Sequence, residues 1–389
     1  MLKTLLSFIV LLASILSSDY ASAETDEVSY ILMEKDTGMI LNAENEDEQR
    51  APASMTKMMT MLLLMEAIEE EEVSFDDKVT TSEQAASMGG SQIFLEPGEE
   101  MTVRDLLKAI AVASGNDASV AISEHLEGSE EAFVERMNER AEELGMKNTH
   151  FKNSNGLPAD GHYSTAKDLA MLASKLLDHE EITSFTNIYE DYLRQGTDDE
   201  FWLVNTNRLV KTYEGMDGLK TGFTRESMYG LTATAKREDM RLIAVVMGAE
   251  TPNDRNDQIT GLLDEGFGAY KVENLFDRGQ VITSSPVEKG MKENIPVRTS
   301  DRTSLLLQKD ESREGIEEKI QLKTNLEAPI EEGEIIGELR LEREGEVLSS
   351  TELEAAESVE SASWLRLFAR SLLKLGGKSP SESPEQLVE

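Results

Sequence analysis

Apolar and polar positions alternate over residues 28–41 on either side of Asp36-Thr37-Gly38, the pattern of a β-hairpin closed by a tight turn. Over residues 55–68 the apolar positions crowd together and predict a long apolar helix that starts directly after Pro52-Ala53. Helical periodicity follows over residues 103–113, 118–125, 130–144 and 165–177, with Gly and Asn clusters between the segments. Strand patterns return over residues 218–224, 229–234 and 242–247, the last two joined by the polar turn Arg237-Glu238-Asp239, and a helix over residues 257–270 closes the unit. Strands at both ends with helices inserted between them predict an α+β domain, its one antiparallel sheet assembled from the two termini.

The unit spans residues 24–274, and residues 275–353 differ from it. Short β-rich runs at 280–283, 304–308, 319–322 and 335–341, separated by charged turns, predict a small all-β second domain. Residues 354–361 read as an acidic linker. Residues 362–378 then read as an amphipathic helix, with Trp364, Leu365, Leu367, Phe368, Leu372 and Leu375 on a broad apolar face and Arg366, Arg370 and Lys374 recurring opposite it. Aromatic residues on the apolar side and cations on the other suit a helix lying in a membrane surface; the competing expectation is a helix docked on the second domain. A polar tail occupies residues 379–389. At the other end Lys3, an apolar run over residues 5–16 and Ala21-Ser22-Ala23 have the three-part form of a signal peptide over residues 1–23, so export is expected. The apolar run is too short to span a bilayer, which takes about 20 residues.

Charge and composition narrow the function. The chain carries 76 Asp and Glu against 38 Lys and Arg, a formal charge of −38, which excludes nucleic acid as a partner because phosphate binding needs clustered cations. There is no cysteine, hence no disulfide, thiolate metal site or cysteine nucleophile. The four histidines, His125, His150, His162 and His179, show no zinc-binding spacing, so neither metal nor cofactor is expected.

Ser-x-x-Lys is a weak pattern, for which average usage gives about one or two chance matches in a chain of this length. Three occur. Ser371 to Lys374 lies in the basic terminal helix, and Ser164 to Lys167 sits where Thr165 and Asp168 form a capping box. Ser54 to Lys57 opens the long apolar helix, where residues three apart share one face. An adjacent amine activates serine only when unprotonated, and burial together with the positive helix N-terminus lowers a lysine pKa. Two further motifs occur once each. Ser114-Gly115-Asn116 lies in a small-residue turn between helices; Lys220-Thr221-Gly222 lies on a predicted strand, where Lys and Thr can bind a carboxylate and Gly allows close approach by a ligand.

Ser54-Met55-Thr56-Lys57, Ser114-Gly115-Asn116 and Lys220-Thr221-Gly222 resemble the three motifs of penicillin-binding proteins and serine β-lactamases. The longer strings from Ala53, Ser114 and Asp217 resemble low-molecular-weight D-alanyl-D-alanine carboxypeptidases, and the similarity extends over nearly the whole mature chain. The resemblance implies the penicillin-binding transpeptidase-like fold and an acyl-enzyme on Ser54, with Lys57 accepting its proton. It implies that Ser114 and Asn116 relay protons and orient the substrate amide, and that Lys220 and Thr221 bind the terminal carboxylate of a D-Ala-D-Ala stem peptide or of a β-lactam. Backbone N–H groups of Ser54 and Phe223, beside Gly222, would form the oxyanion hole, and Arg255, in the loop after the last strand, would help hold the carboxylate. Gly115 stands where β-lactamases usually have Asp and Phe223 where some family members carry His, and the Glu-x-x-Leu-Asn loop that class A β-lactamases use for deacylation has no Leu-Asn match between Asn116 and Lys220, so rapid penicillin turnover is not expected. An endopeptidase, a β-lactamase and a non-catalytic wall-binding module remain as alternatives.

Overall fold

The computed structural model describes residues 28–375. Strands β1 (Ser29–Glu34) and β2 (Ile40–Glu44) form the expected hairpin. Its turn is held by the buried Glu34 carboxylate, which accepts the Thr37 N–H at 2.8 Å and the Thr37 hydroxyl at 2.6 Å. The chain then passes through a helical region containing α1 (Lys57–Glu69), α2 (Val103–Lys108), α3 (Asn116–Glu127), α4 (Glu130–Glu143) and α5 (Ala166–Leu176). It returns as β3 (Met216–Thr224), β4 (Met228–Arg237) and β5 (Met240–Ala249), followed by α6 (Pro252–Ala269). The sheet order is β2-β1-β5-β4-β3, all antiparallel, so β1 is zipped to β5 with Ile31 opposite Val245.

Alternation along β5 builds two cores. Ile243, Val245 and Met247 face the helical region, while Leu242, Ala244 and Val246 face α6. Burial on both faces explains why this strand reads as a continuous apolar run. Helix α1 lies inside the first core; Met58, Met59, Met61, Leu62 and Leu64 are fully buried, as expected of a helix apolar all round. Such a helix is a rigid floor for whatever projects from its first turn.

The second unit is all β, with two corrections at its edges. Strand β6 (Tyr270–Phe276) follows α6 without a break and pairs with β9 (Thr303–Gln308), so the unit starts at Tyr270, not at residue 275. Strands β7 (Val281–Pro286), β8 (Asn294–Thr299), β10 (Ile316–Leu322), β11 (Ile335–Arg343) and β12 (Glu346–Ala355) form a second antiparallel sheet in the order β7-β8-β12-β11-β10, over a core of Ile295, Val297, Ile336, Leu339 and Leu353. Residues 354–361, expected as a linker, belong to this unit: β12 runs to Ala355, Val359 is buried and bridges Ile330, and Ser361 bridges Gly290. The acidic side chains hid this packing, since two buried residues, Ala355 and Val359, and backbone bridges suffice for it.

Helix α7 (Trp364–Leu375) docks through its basic side. Arg370 donates to the carbonyls of Gly290 at 2.6 Å and Met291 at 2.7 Å, and Trp364, Leu365 and Phe368 stay exposed. No helix among the described residues is long and apolar enough to cross a membrane. The expected signal peptide, the polar tail and residues 376–378 of the expected amphipathic helix lie outside the described residues.

Candidate active site

A single 3₁₀ turn, Ala53–Thr56, leads into α1 and sets Ser54 and Lys57 on one face. The Lys57 Nζ lies 3.1 Å from Ser54 Oγ and 2.6 Å from Asn116 Oδ1, and it also donates to the backbone carbonyl of Asn155. Lys57 is fully buried. Burial, and then the nearby charge of Lys220, hold its pKa well below the ordinary lysine value, with Asp117 pulling weakly the other way.

Asn116 arrives from a helix that is not continuous, contrary to the expectation over residues 103–113. Helix α2 ends at Lys108, residues 109–113 widen into a π-turn, and Ser114 takes the left-handed conformation at φ 64° before α3 begins at Asn116. The reversal buries Ser114 and Asn116 at the helix junction. The Asn116 amide donates to the Gly89 carbonyl at 2.7 Å, which fixes its oxygen toward Lys57.

Strand β3 is the sheet's edge, so its outer row of backbone groups is left without a strand partner. Lys220 on this strand is buried, forms no ion pair among the described residues, and hydrogen-bonds only the Thr221 carbonyl. Burial and the neighbouring Arg255 bring its pKa to about 7. The Thr221 hydroxyl donates to Thr206 Oγ1 at 2.7 Å. The protein's own packing requires glycine at 222: a Cβ there would lie 2.9 Å from the Pro52 carbonyl and 3.2 Å from Ala53. Phe223 is half-exposed and stacks on Tyr229 at 4.3 Å. Arg255 sits in the first turn of α6, not in a loop, because Thr251 caps that helix from Asp254 N. It is buried without a carboxylate among the described residues. Two buried, unpaired cations beside a serine, in a chain of charge −38, describe a site short of one anion.

Several contributors escaped the sequence reading. The Asn153-Ser154-Asn155-Gly156 turn supplies the carbonyl that meets Lys57, and Gly156, at φ 84°, presses on the Ala53–Ser54 peptide so closely that a Cβ would come within 1.9 Å of the Ala53 carbonyl. An Asn-Gly pair marks such a turn, but nothing in the sequence says where it folds back. His162 is buried behind the nucleophile turn. Its Nδ1 accepts the Lys152 N–H at 3.3 Å, which leaves Nε2–H to donate to Thr56 Oγ1 at 2.8 Å. Burial lowers its pKa to about 4. At the competing Ser164 and Lys167, the hydroxyl is bound to Thr149 and the amine to Asp47, away from each other.

A buried amine facing a hydroxyl, with unpaired cations nearby, is the arrangement of acyl-transferring serine enzymes. The profile for D-alanyl-D-alanine carboxypeptidases matches residues 17–251, and that for the C-terminal domain of penicillin-binding protein 5 matches residues 270–361. The chain belongs to the D-alanyl-D-alanine carboxypeptidase family. It is a serine peptidase of the penicillin-binding type. It is 52% identical over 344 residues to the D-alanyl-D-alanine carboxypeptidase DacF of Bacillus subtilis, covering 88% of each chain. It is 36% identical to DacD of Escherichia coli, again with 88% of each covered. Penicillin-binding protein 5 from Haemophilus influenzae superposes with a TM-score of 0.68 at 30% identity, over 86% of this carboxypeptidase and 97% of that chain. Penicillin-binding protein D2 from Listeria monocytogenes, in its cefotaxime-bound form, matches with a TM-score of 0.56 at 34% identity over 61% of this chain and 96% of its own.

Proposed function

We propose that Ser54 is the nucleophile and Lys57, as a neutral amine, its proton acceptor in removing the terminal D-alanine from peptidoglycan stem peptides. The observation that carries this reading is the set of three neighbours around the Lys57 Nζ. A neutral amine has two N–H bonds and one lone pair. The carbonyl oxygens of Asn116 and Asn155 can only accept, so they take the two hydrogens. The lone pair is left for the Ser54 hydroxyl, 3.1 Å away. An ammonium would spend its third hydrogen on that oxygen and block proton removal.

As Ser54 Oγ attacks the carbonyl between the two D-alanines, its proton passes to Lys57. The developing oxyanion is held by the backbone N–H groups of Ser54 and Phe223. Lys220, Thr221 and Arg255 take the terminal carboxylate, supplying the anion that the buried cations lack. Pairing with that carboxylate raises the pKa of Lys220 above its ligand-free value of about 7, so the substrate charges its own binding site. The proton then passes by way of Ser114, with Asn116 orienting the amide, to the leaving nitrogen as the C–N bond breaks. Water hydrolyses the acyl-enzyme. A β-lactam carboxylate and carbonyl fit the same groups.

Ser54→Ala is expected to lose both D-alanine release and covalent labelling by a fluorescent penicillin. Labelling that persisted in this variant would move the nucleophile elsewhere. We also propose that export places the enzyme at the outer face of the cytoplasmic membrane, held there by α7. Its docking through Arg370 leaves Trp364, Leu365 and Phe368 free to enter a lipid surface, which supports this reading over docking of the apolar face. Replacing these three by Ser should abolish co-sedimentation with anionic vesicles; unchanged binding would remove the anchor.

A further inference from the structure

Among the described residues six aromatic side chains are more than a third exposed, and they fall in two places. Trp364 and Phe368 lie on α7. Phe94, Tyr192, Trp202 and Phe223 lie on segments that meet the catalytic motifs: the loop bonded to Asn116, the hairpin that runs on to Thr206, and β3. Phe94 is the least expected. Its backbone is left-handed, at φ 59°, a conformation that costs a residue with a Cβ roughly 1–2 kcal/mol. The residue is 62% exposed, and its ring meets that of Phe201 edge-on with centroids 5.8 Å apart. Neither stability nor solubility accounts for a Phe where Gly would be unstrained.

The loop around it is nonetheless rigidly built. The buried Asp117 carboxylate, next to Asn116, accepts the N–H groups of Ile93 at 3.0 Å and Leu95 at 3.1 Å, one on each side of Phe94. Ile93 and Leu95 are buried. Arg194 donates to the Ile93 carbonyl at 3.0 Å, and the Asn116 N–H to the Ser91 carbonyl at 2.7 Å. With Ile93 N and Leu95 N both on the carboxylate of Asp117, the neighbour of Asn116, the backbone of Phe94 lies within about 10 Å of the middle motif. An exposed aromatic on a strained backbone, carried by a loop that is held to the residue next to Asn116, is a preorganised contact surface.

We propose that Phe94 is a specificity-determining contact for the acyl side of the substrate: its ring receives the stem peptide upstream of the scissile bond. The inference rests on the assignment of Lys220, Thr221 and Arg255 to the terminal carboxylate. A leaving D-alanine held there is one residue, under about 4 Å long, and cannot also reach the loop on the Asn116 side. The longer acyl portion can. Covering about half of the exposed ring is worth on the order of tenfold in kcat/KM.

The test compares D-alanine release from a stem pentapeptide and from N-acetyl-D-Ala-D-Ala, in wild type, Phe94→Ala and Phe94→Gly. Both variants are expected to lose about tenfold in kcat/KM for the pentapeptide and under twofold for the short substrate, with Tm not lowered in Phe94→Gly. Equal losses on both substrates, or an unchanged pentapeptide rate, would overturn the proposal. A fall in Tm accompanied by loss on both substrates would make Phe94 a structural residue. Because the ratio is read from D-alanine release, it decides the role of Phe94 separately from the identity of the nucleophile, which Ser54→Ala decides alone.

Discussion

Replacing Gly156 by Ala tests whether the nucleophile turn is held in place by the loop behind it. The new Cβ would stand 1.9 Å from the Ala53 carbonyl oxygen, 2.3 Å from its carbon and 2.9 Å from Ser54 N, where side chains do not approach closer than about 3.0 Å. Either the Asn155–Gly156 turn or the Ser54 turn must retreat by roughly 1 Å. The Lys57 Nζ bridges these two segments, bonding Ser54 Oγ on one and the Asn155 carbonyl on the other. A shift of that size stretches one of the two bonds past its useful length, and misplacement on this scale costs about 100-fold in rate. The left-handed backbone at φ 84° adds about 1–2 kcal/mol of instability. Gly98 is the control, because it has φ 82° but no atom within 4 Å of an added Cβ. Gly98→Ala should therefore lose about 1 kcal/mol in urea denaturation and leave acylation by penicillin unchanged. Gly156→Ala should lose more stability and about 100-fold in acylation rate. If the two variants behaved alike in both assays, the contact would not position Ser54.

Two further expectations concern charge. His162 has a folded pKa of about 4 against 6.5, so between those values the unfolded chain binds more protons and stability falls as pH drops through the window. The depression corresponds to at most about 3 kcal/mol, to be read by urea denaturation at pH 7 and pH 4; His162→Gln should flatten that difference, and an unchanged pH dependence would refute the assignment. Arg255→Gln removes one of the two unpaired cations, so KM for a D-Ala-D-Ala peptide should rise by about tenfold or more, with kcat falling less than threefold. The same change should raise the pKa of Lys220 from about 7; a fall in kcat with KM unchanged would place Arg255 outside the carboxylate site.

Much of this molecule is legible in its sequence, for identifiable reasons. The alternation in β1 and β4, the continuous apolar run of β5 and the all-round apolarity of α1 are consequences of burial, so pattern reveals them. The motif at Ser54 and Lys57 is readable because a helix converts a spacing of three into proximity. What escaped depends on the path of the chain between elements. The Asn155 carbonyl is a backbone atom and leaves no mark in residue identity. The π-turn before Ser114 costs no change in the apolar pattern of residues 109–113, so it looks like ordinary helix. Gly222 marks a place of close approach, but that the Pro52 carbonyl lies against it is revealed only by tertiary structure. The acidic stretch over residues 354–361 looks like a linker because charge dominates its composition, while only Ala355 and Val359 anchor it in the core.

The central claim is that Lys57 is neutral when Ser54 attacks. Its most direct test is the pH dependence of the second-order rate of acylation by a β-lactam that does not itself titrate between pH 5 and about 11. Burial and the charge of Lys220 hold the Lys57 pKa well below 10.5, so the rate should climb through an acid limb that ends well below pH 10.5, and then fall as Lys220, at about 7 in the free enzyme, loses the proton that holds the carboxylate. In Lys57→Gln that limb should vanish along with most of the rate. A wild-type rate still rising with unit slope beyond pH 10 would mean that Lys57 is an ordinary ammonium, and would contradict the account.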